Sequence, residues 1–508
     1  MLKQKLILAV CVLATIFVAC NNDGEDETAV EETYPVELSI SFPEKSQEFE
    51  CQGSNGIREI AALRTDTRYA DKIVLSQSGG DIYVTTSEEE IDEETEFAFL
   101  YPASASTVAT SDTLTQVLYI DRQNGTLEGL ADFDYTWGTY TYDMEEEDYT
   151  STVVMTSLMS FCKFRFTENG CPIERISQVI VTSPTDSLHV VAKLDLNDGD
   201  VSSLNTGSMV IQSEQGLLDE VYVAFFPMET ALHFTVSTRD GKSYEAVLPE
   251  VMEFRAGETY VYTDIACSAL KPAHIGDYYY NDATWSASYD ENKTCVGIVY
   301  ALDDASGKLD KNLTESVHGR VVALRDCASR VTWCSTAEDL EGIANQTVLQ
   351  DTMYVGSLPY WNGNQDSFFS DDVLEQLDGI QIDFSTGQVL AWYTEGALSD
   401  FDGWGHASQT ITGISNTFYA PSDCREYGQG LYGWYLPSAG ELALLWALHR
   451  TGIICHEIYD NFSDFDPFGY WTSTEYDEGN VWYINFLSGI ITRNSKNSSY
   501  NARPVIRF

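Results

Sequence analysis

Basic residues are scarce in this chain: 28 lysines and arginines stand against 79 aspartates and glutamates among 508 residues, a formal net charge of −51. That shortage excludes nucleic acid as a partner, because neutralising phosphates requires clustered Lys and Arg. The acidic residues gather in runs at 25–32, 88–96 and 145–148, and an acidic surface of this kind keeps an exported protein soluble. Cys-x-x-Cys and His-Glu-x-x-His are absent, and the seven histidines are scattered. Neither a zinc site nor a thioredoxin-like site is therefore legible. A Gly-x-Ser-x-Gly elbow is missing too, and paired carboxylates are too common here to single any out as acid and base. What is present is globular: 44% hydrophobic and 12% aromatic residues, in a length that suits about three domains.

Lys3 and Lys5 precede an apolar run at 6–19 that ends in Val18-Ala19-Cys20. Crossing about 30 Å of hydrocarbon takes about 20 apolar residues, so this run is too short for a retained anchor. It resembles a bacterial lipoprotein signal, residues 1–19, cut before Cys20. The resemblance implies that Cys20 carries the lipid and holds the exported chain to the outer membrane at the cell surface. Residues 20–33 are acidic and nearly free of large apolar side chains, the composition of a tether. Cys11 falls in the removed segment, and the other nine cysteines are an odd number from which no complete disulfide framework emerges. Cys162 alternates inward in Phe161-Cys162-Lys163-Phe164-Arg165-Phe166, while Cys327 and Cys334 are candidates to pair across a short loop.

From residue 34 the pattern changes to a period of two. Val36, Leu38, Ile40 and Phe42 alternate with Glu37, Ser39 and Ser41, which predicts a half-buried strand. Similar patterns predict strands at 72–75, 81–85, 96–100, 115–120, 153–167, 178–182, 190–194, 221–226, 231–237, 243–248 and 259–265. Asn169-Gly170, Asn197-Asp198-Gly199 and Arg239-Asp240-Gly241 read as the hairpin turns between them. Many short strands without long helical periodicity predict antiparallel β-sandwiches.

Residues 34–267 resemble the fimbrillin-like (type V pilus) family. The resemblance is carried by the strand at 36–42, Leu63-Arg64-Thr65-Asp66-Thr67, Phe97-Ala98-Phe99-Leu100-Tyr101-Pro102, and Gly125-Thr126-Leu127-Glu128-Gly129-Leu130 followed by Asp134-Tyr135. It implies two consecutive sandwiches, 34–167 and 168–270, in a subunit whose early strand is cut away after an arginine. The opened groove then accepts a strand from another pilin subunit. Arg64 matches best as the cleaved residue, with Arg58 and Arg68 as alternatives.

Residues 271–508 form a third domain, where nine of the ten tryptophans lie. Its start, His274-Ile275-Gly276-Asp277-Tyr278-Tyr279-Tyr280, is followed by Cys295-Val296-Gly297-Ile298-Val299-Tyr300 and His318-Gly319-Arg320-Val321-Val322-Ala323-Leu324. Further on stand Ser415-Asn416-Thr417, Cys424-Arg425-Glu426-Tyr427, Gly433-Trp434-Tyr435-Leu436-Pro437-Ser438, Tyr470-Trp471-Thr472-Ser473-Thr474-Glu475, Val481-Trp482-Tyr483-Ile484-Asn485-Phe486 and Ala502-Arg503-Pro504-Val505. This set resembles the C-type-lectin-like modules that end bacterial surface proteins. The fold expected is therefore mainly β: two fimbrillin-like sandwiches followed by an α+β lectin-like domain.

Within that module Ser438 and Glu441 have the spacing of a capping box that opens a helix. Residues 481–486 and 490–493 read as a hairpin, and 502–508 as a final strand. Trp434, Leu436, Leu445 and Val505 read as core, whereas Trp471 and Trp482 read either as core or as a ligand platform. Thr472, Thr474, Glu475, Tyr483, Asn485, Arg493 and Asn494 are the candidates for a polar binding edge facing a host or bacterial glycan or protein. Calcium-assisted sugar binding uses a Glu-Pro-Asn or Gln-Pro-Asp triplet that is absent; Asp460, Asn461, Asp464 and Asp466 are weak calcium candidates, and no cofactor is expected.

The role that follows is a pilus-tip adhesin, because a chain ending inside the lectin-like module accepts a strand without having one to give. A stalk or anchor subunit is the alternative. An enzyme is the third reading, since formylglycine-generating enzymes share the lectin-like fold. The last cysteines, Cys424 and Cys455, lie outside the closing hairpin where that chemistry is expected.

Overall fold

The computed structural model describes residues 36–43, 49, 58–64, 73–77, 82–84, 96–102, 115–141, 150–184, 188–213, 218–304, 307–310, 313–335, 343–347, 381–383, 388–391, 396–412, 418–450, 452–454, 462–487 and 489–508. The lipoprotein signal, Cys20, the acidic tether, Arg68, Asp460 and Asn461 lie outside the described residues. The protein is mainly β, as the period-two patterns predict, and its sheets are mostly antiparallel.

The N-terminal part holds a three-stranded sheet in which Val36–Ser41 lies between Ile82–Val84 and Thr150–Val154. Beside it is a five-stranded sheet ordered Thr156–Ser157, Thr136–Thr141, Glu96–Tyr101, Arg58–Arg64 and Ile73–Gln77. Further along, Ser160–Glu168 is flanked by Val221–Phe225 and Thr259–Ala266. A six-stranded sheet centred on Met228–Thr238 and Ile176–Thr182 faces it. Phe164 bridges the two layers, its ring 5.1 Å from that of Phe234 and 6.2 Å from that of Phe225. Apolar side chains alternating inward from both sheets make one continuous core.

Three features differ from the sequence reading. The single strand expected at 153–167 is three, Thr150–Val154, Thr156–Ser157 and Ser160–Glu168, because each piece joins a different sheet. Two long pairings are parallel, Val36–Ser41 with Thr150–Val154 and Ser160–Glu168 with Thr259–Ala266. The boundary drawn near Thr167 falls inside Ser160–Glu168, and strands on either side of it share sheets: Thr115–Tyr119 pairs with His189–Asp195, and Arg122–Gln123 with Met209–Gln212. Main-chain pairing across a sheet has no fixed sequence separation, so alternation reveals a strand without naming its neighbour. The turns were local enough to read; Asn169 and Gly170 adopt φ of 50° and 78° between two antiparallel strands.

The C-terminal module contains two five-stranded sheets and three helices among the described residues. One sheet runs Trp285–Ser286, Tyr278–Tyr280, Cys295–Asp303, His318–Ala323 and Val505–Arg507; the other runs Ala328–Thr332, Ser499–Ala502, Tyr470–Asp477, Asn480–Asn485 and Ile490–Ser495. The helices are Gly403–Thr412, Tyr419–Arg425 and Ala439–Arg450. Ala439–Arg450 is buried along nearly all its length, with Leu442, Leu444, Leu445 and Leu448 at 0% exposure.

Its N-terminus shows one half of the expected capping box: the Ser438 N–H donates to Glu441 Oε2 at 2.8 Å, while the Ser438 hydroxyl donates to the Asp400 carbonyl at 2.7 Å. Glu441 also accepts from Tyr435 Oη at 2.8 Å and from Arg320 Nη1 at 2.7 Å, and the Arg320 Nε binds both Asp303 oxygens at 3.1 Å. Burial pushes the Glu441 carboxyl above its ordinary range, opposed by Arg320 and by the Ser438 and Tyr435 hydrogen bonds. Paired in this way, the charges fix the helix to the sheet floor.

The module packs on the preceding sandwich through a polar and aromatic seam. Ser208 and Tyr432 exchange two hydrogen bonds of 2.9 Å, and the Arg122 guanidinium lies 3.6 Å from the Trp404 ring centroid. Lys293 bridges Asp282 at 2.7 Å and Glu245 at 3.7 Å, and His233 meets Glu245 at 2.9 Å. His233, Glu245 and Asp282 have metal-ligand spacing, but Lys293 already supplies their cation.

Candidate ligand-binding face of the C-terminal module

The hairpin of Asn480–Asn485 and Ile490–Ser495 divides the candidate residues between two faces. Pairing of Tyr483 with Thr492 and of Val481 with Asn494 places Tyr483, Asn485, Thr492 and Asn494 on one side. Trp482, opposite Arg493, points the other way; its Nε1–H donates to the Gln346 carbonyl at 2.9 Å, and the Arg493 guanidinium covers the Tyr476 ring at 4.0 Å.

Five of the candidates are interior. Trp471 and Thr472 are at 0% exposure, Thr474 and Glu475 likewise, and Trp482 at 3%. Their polar atoms have internal partners: Trp471 Nε1 donates to Val331 O at 2.8 Å, Thr472 Oγ1 to Trp482 O at 2.8 Å and Thr474 Oγ1 to Asp400 Oδ2 at 2.5 Å. Glu475 pairs with the equally buried Lys496. These contacts satisfy the groups where water cannot reach.

Tyr483, Asn485, Arg493 and Asn494 reach the surface. Tyr483 stacks on Tyr500 with centroids 4.2 Å apart and ring planes at 22°, and the buried Trp471 ring meets Tyr500 nearly perpendicular at 4.7 Å. Asn494 Nδ2 donates to Tyr500 Oη at 2.6 Å, and Asn485 Nδ2 to the Phe468 carbonyl at 3.2 Å. Burial, followed by Tyr500, pushes the Tyr483 phenol up to about 12, so it stays a neutral hydrogen-bonding group near pH 7. Gly469, at φ +149°, makes the close approach possible: a Cβ there would lie 3.0 Å from Tyr500 and 3.2 Å from Tyr483.

Tyr500, Phe468 and Arg330 were not singled out from the sequence. Phe468 is 62% exposed, with the Arg330 guanidinium 5.0 Å from its ring centroid. The available signal was the aromatic Tyr500 set among small polar residues at 494–501. Together these groups offer a flat aromatic surface edged by two amides and a cation, a chemistry suited to sugar rings or aromatic and acidic peptide side chains.

Of the calcium candidates that are described, Asp464 is exposed and Asp466 Oδ1 accepts the Phe468 N–H at 2.8 Å, closing a turn. The fold also brings His406 Nδ1 to 2.9 Å from Ser473 Oγ, with Asp400 Oδ2 3.8 Å from His406 Nε2. Residue types of a nucleophile triad thus meet, but Asp400 is beyond hydrogen-bond reach of the imidazole and instead accepts from Thr474. The contact ties helix Gly403–Thr412 to strand Tyr470–Asp477.

Residues 324–506, which include this face, match the family described as the Lcl C-terminal domain. No curated protein matches the chain. Among solved structures, the chain is similar to a fimbrial protein from Bacteroides ovatus at 15% identity, covering 93% of this chain and 99% of that one with a TM-score of 0.31. It is similar to a fimbrial protein from Bacteroides vulgatus at 10% identity, over 47% of this chain and 98% of that one, TM-score 0.27. The tip fimbrial protein Mfa3 from Porphyromonas gingivalis, with C-terminal truncation, is 11% identical over 46% and 99% of the respective chains, TM-score 0.27.

Proposed function

We propose that this chain is a pilus-associated adhesin: an exported lipoprotein subunit whose N-terminal sandwich accepts a donated strand and whose C-terminal module carries a ligand-binding face. The observation that carries this reading is the position of Val36–Ser41. That strand is paired on both sides, antiparallel to Ile82–Val84 and parallel to Thr150–Val154. Its removal would leave two edges of unpaired main-chain groups, which a strand from another subunit would satisfy.

The geometry supports Arg58 over Arg64 as the cleaved residue. Arg58 opens the strand Arg58–Arg64, so a cut after it takes away the strand Val36–Ser41 and the buried Phe49 but leaves the strand from Arg58 onward almost whole. A cut after Arg64 would also remove a strand held between Ile73–Gln77 and Glu96–Tyr101, taking Ile60 and Ala61, both at 0% exposure, out of the core. The subunit is placed at the fibre tip, and Val505–Arg507 pairs with His318–Ala323 inside its own sheet. Tyr483, Tyr500, Asn485 and Asn494 would then meet a glycan or protein ligand.

The test is to recover the subunit from assembled pili and determine its N-terminus, with immunogold labelling of its position. A chain beginning after Arg58 and located at fibre ends is expected. A pilus-borne chain that still contains residues 36–41 rejects strand acceptance, and labelling along the shaft makes it a stalk subunit.

A further inference from the structure

We infer that Cys327 and Cys424 form a disulfide that fastens helix Tyr419–Arg425 to the sheet beneath the ligand-binding face. Their sulfurs lie 3.4 Å apart although the residues are 97 positions apart in sequence. Sequence spacing alone pointed instead to Cys334, only seven residues from Cys327.

Cys327 is well fixed for this pairing. Its N–H donates to the Ala502 carbonyl at 3.0 Å and its thiol lies 3.3 Å from the same oxygen. Cys424 is fully buried on the short helix, packed with Trp333, Phe418, Leu436 and Trp471, and the partly buried Tyr483 and Tyr500 rest on this same cluster. A disulfide needs its sulfurs at about 2.05 Å, so closure asks for a shift of roughly 1.4 Å, within the reach of small side-chain rotations. Burial, then the neighbouring Cys327, pushes the Cys424 thiol well above its ordinary value. Cys327, the half-buried partner, is therefore the one that meets an external oxidant first.

The oxidant is a disulfide-bearing thiol oxidant of the kind exported proteins encounter. The Cys327 thiolate attacks one oxidant sulfur, forming a mixed disulfide and expelling a thiolate. Cys424 then loses its proton, attacks the Cys327 sulfur and expels the second thiolate. Two protein thiols are oxidised by two electrons, and the oxidant is reduced to two thiols that take up the two protons. The proposed exported location says only where the oxidant is met; closure is a property of the folded chain.

The test is to incubate the full chain natively with glutathione disulfide, quench in acid, denature, alkylate, digest and map the peptides. A Cys327–Cys424 linked peptide is expected, with two fewer free thiols per chain and a melting temperature that falls when reductant is added. In Cys327→Ser, chosen because that position is half-buried and the hydroxyl is near the thiol in size, the fall should vanish and Cys424 should resist alkylation until denaturation. Recovery of both cysteines alkylated after oxidation, linkage of Cys327 to another cysteine, or an undiminished reductant effect in Cys327→Ser would overturn the assignment.

Discussion

Replacing Trp471 and Tyr483 separately by alanine tests whether the C-terminal aromatics divide into a supporting core and a ligand-facing surface. Trp471 is at 0% exposure, donates its indole N–H to Val331 O at 2.8 Å and meets Tyr483 and Tyr500 with nearly perpendicular rings. Truncating such a side chain costs about 3–5 kcal/mol, cavity included. At about 2–4 °C per kcal/mol for a domain of this size, the melting temperature should fall by roughly 6–20 °C. Tyr483 is half-buried and loses mainly its stack on Tyr500 at 4.2 Å. An aromatic pair is worth about 0.5–1.5 kcal/mol beyond the area it buries, so a fall of only a few degrees is expected. Binding should show the reverse order. If a ligand rests on the Tyr483 and Tyr500 rings, Tyr483→Ala should weaken it about tenfold or more, since a central contact is worth over about 1.4 kcal/mol. The assay is scanning calorimetry of the full chain together with a glycan and matrix-protein array, run with and without chelator. The reasoning is refuted if Tyr483→Ala melts as early as Trp471→Ala while ligand retention on the array is unchanged.

Glu441→Ala should destabilise by about 3–5 kcal/mol in denaturant titration, because it strands the Arg320 guanidinium and leaves the Tyr435 hydroxyl and Ser438 N–H without an acceptor. Glu441→Gln, which keeps an acceptor oxygen, should cost less; a loss under about 1 kcal/mol for alanine would show that the network is dispensable. At the seam, the His233 hydrogen bond, followed by Lys293, holds the Glu245 carboxyl below its ordinary value. A depressed carboxyl stabilises the fold fully above the unfolded value near 4.3, and that contribution is lost as pH falls through the lower folded value. The difference in melting temperature between wild type and Glu245→Gln should therefore shrink on acidification below about pH 4; a constant difference would remove Glu245 from the seam's pH response.

Much of the local architecture is legible in the sequence. The alternation at 36–42 gives Val36–Ser41, the turns at Asn169-Gly170 and Arg239-Asp240-Gly241 connect antiparallel strands, and Ser438 with Glu441 opens Ala439–Arg450. These signals are local, because a pleated strand, a left-handed turn and a helix cap each involve only a few neighbouring residues. The candidate site was legible in part. Tyr483, Asn485 and Asn494 share a face with Tyr500, which sequence reading left aside, while Arg493 falls on the opposite face with Trp482.

The sequence by itself determined that this chain is acidic, rich in strands and loaded with aromatics toward its end, since composition and period are properties of neighbouring residues. Only the tertiary structure decided what each side chain meets. Thr472, Thr474 and Glu475 are polar in any listing of the chain, yet Trp482 O, Asp400 and Lys496 satisfy them in the interior. Cys327 meets Cys424, 97 positions away in sequence, and Val36–Ser41 lies between two strands that begin 46 and 114 residues after it. Such partners are chosen by packing and by the need to pair every buried polar group, and neither constraint leaves a trace at fixed spacing along the chain.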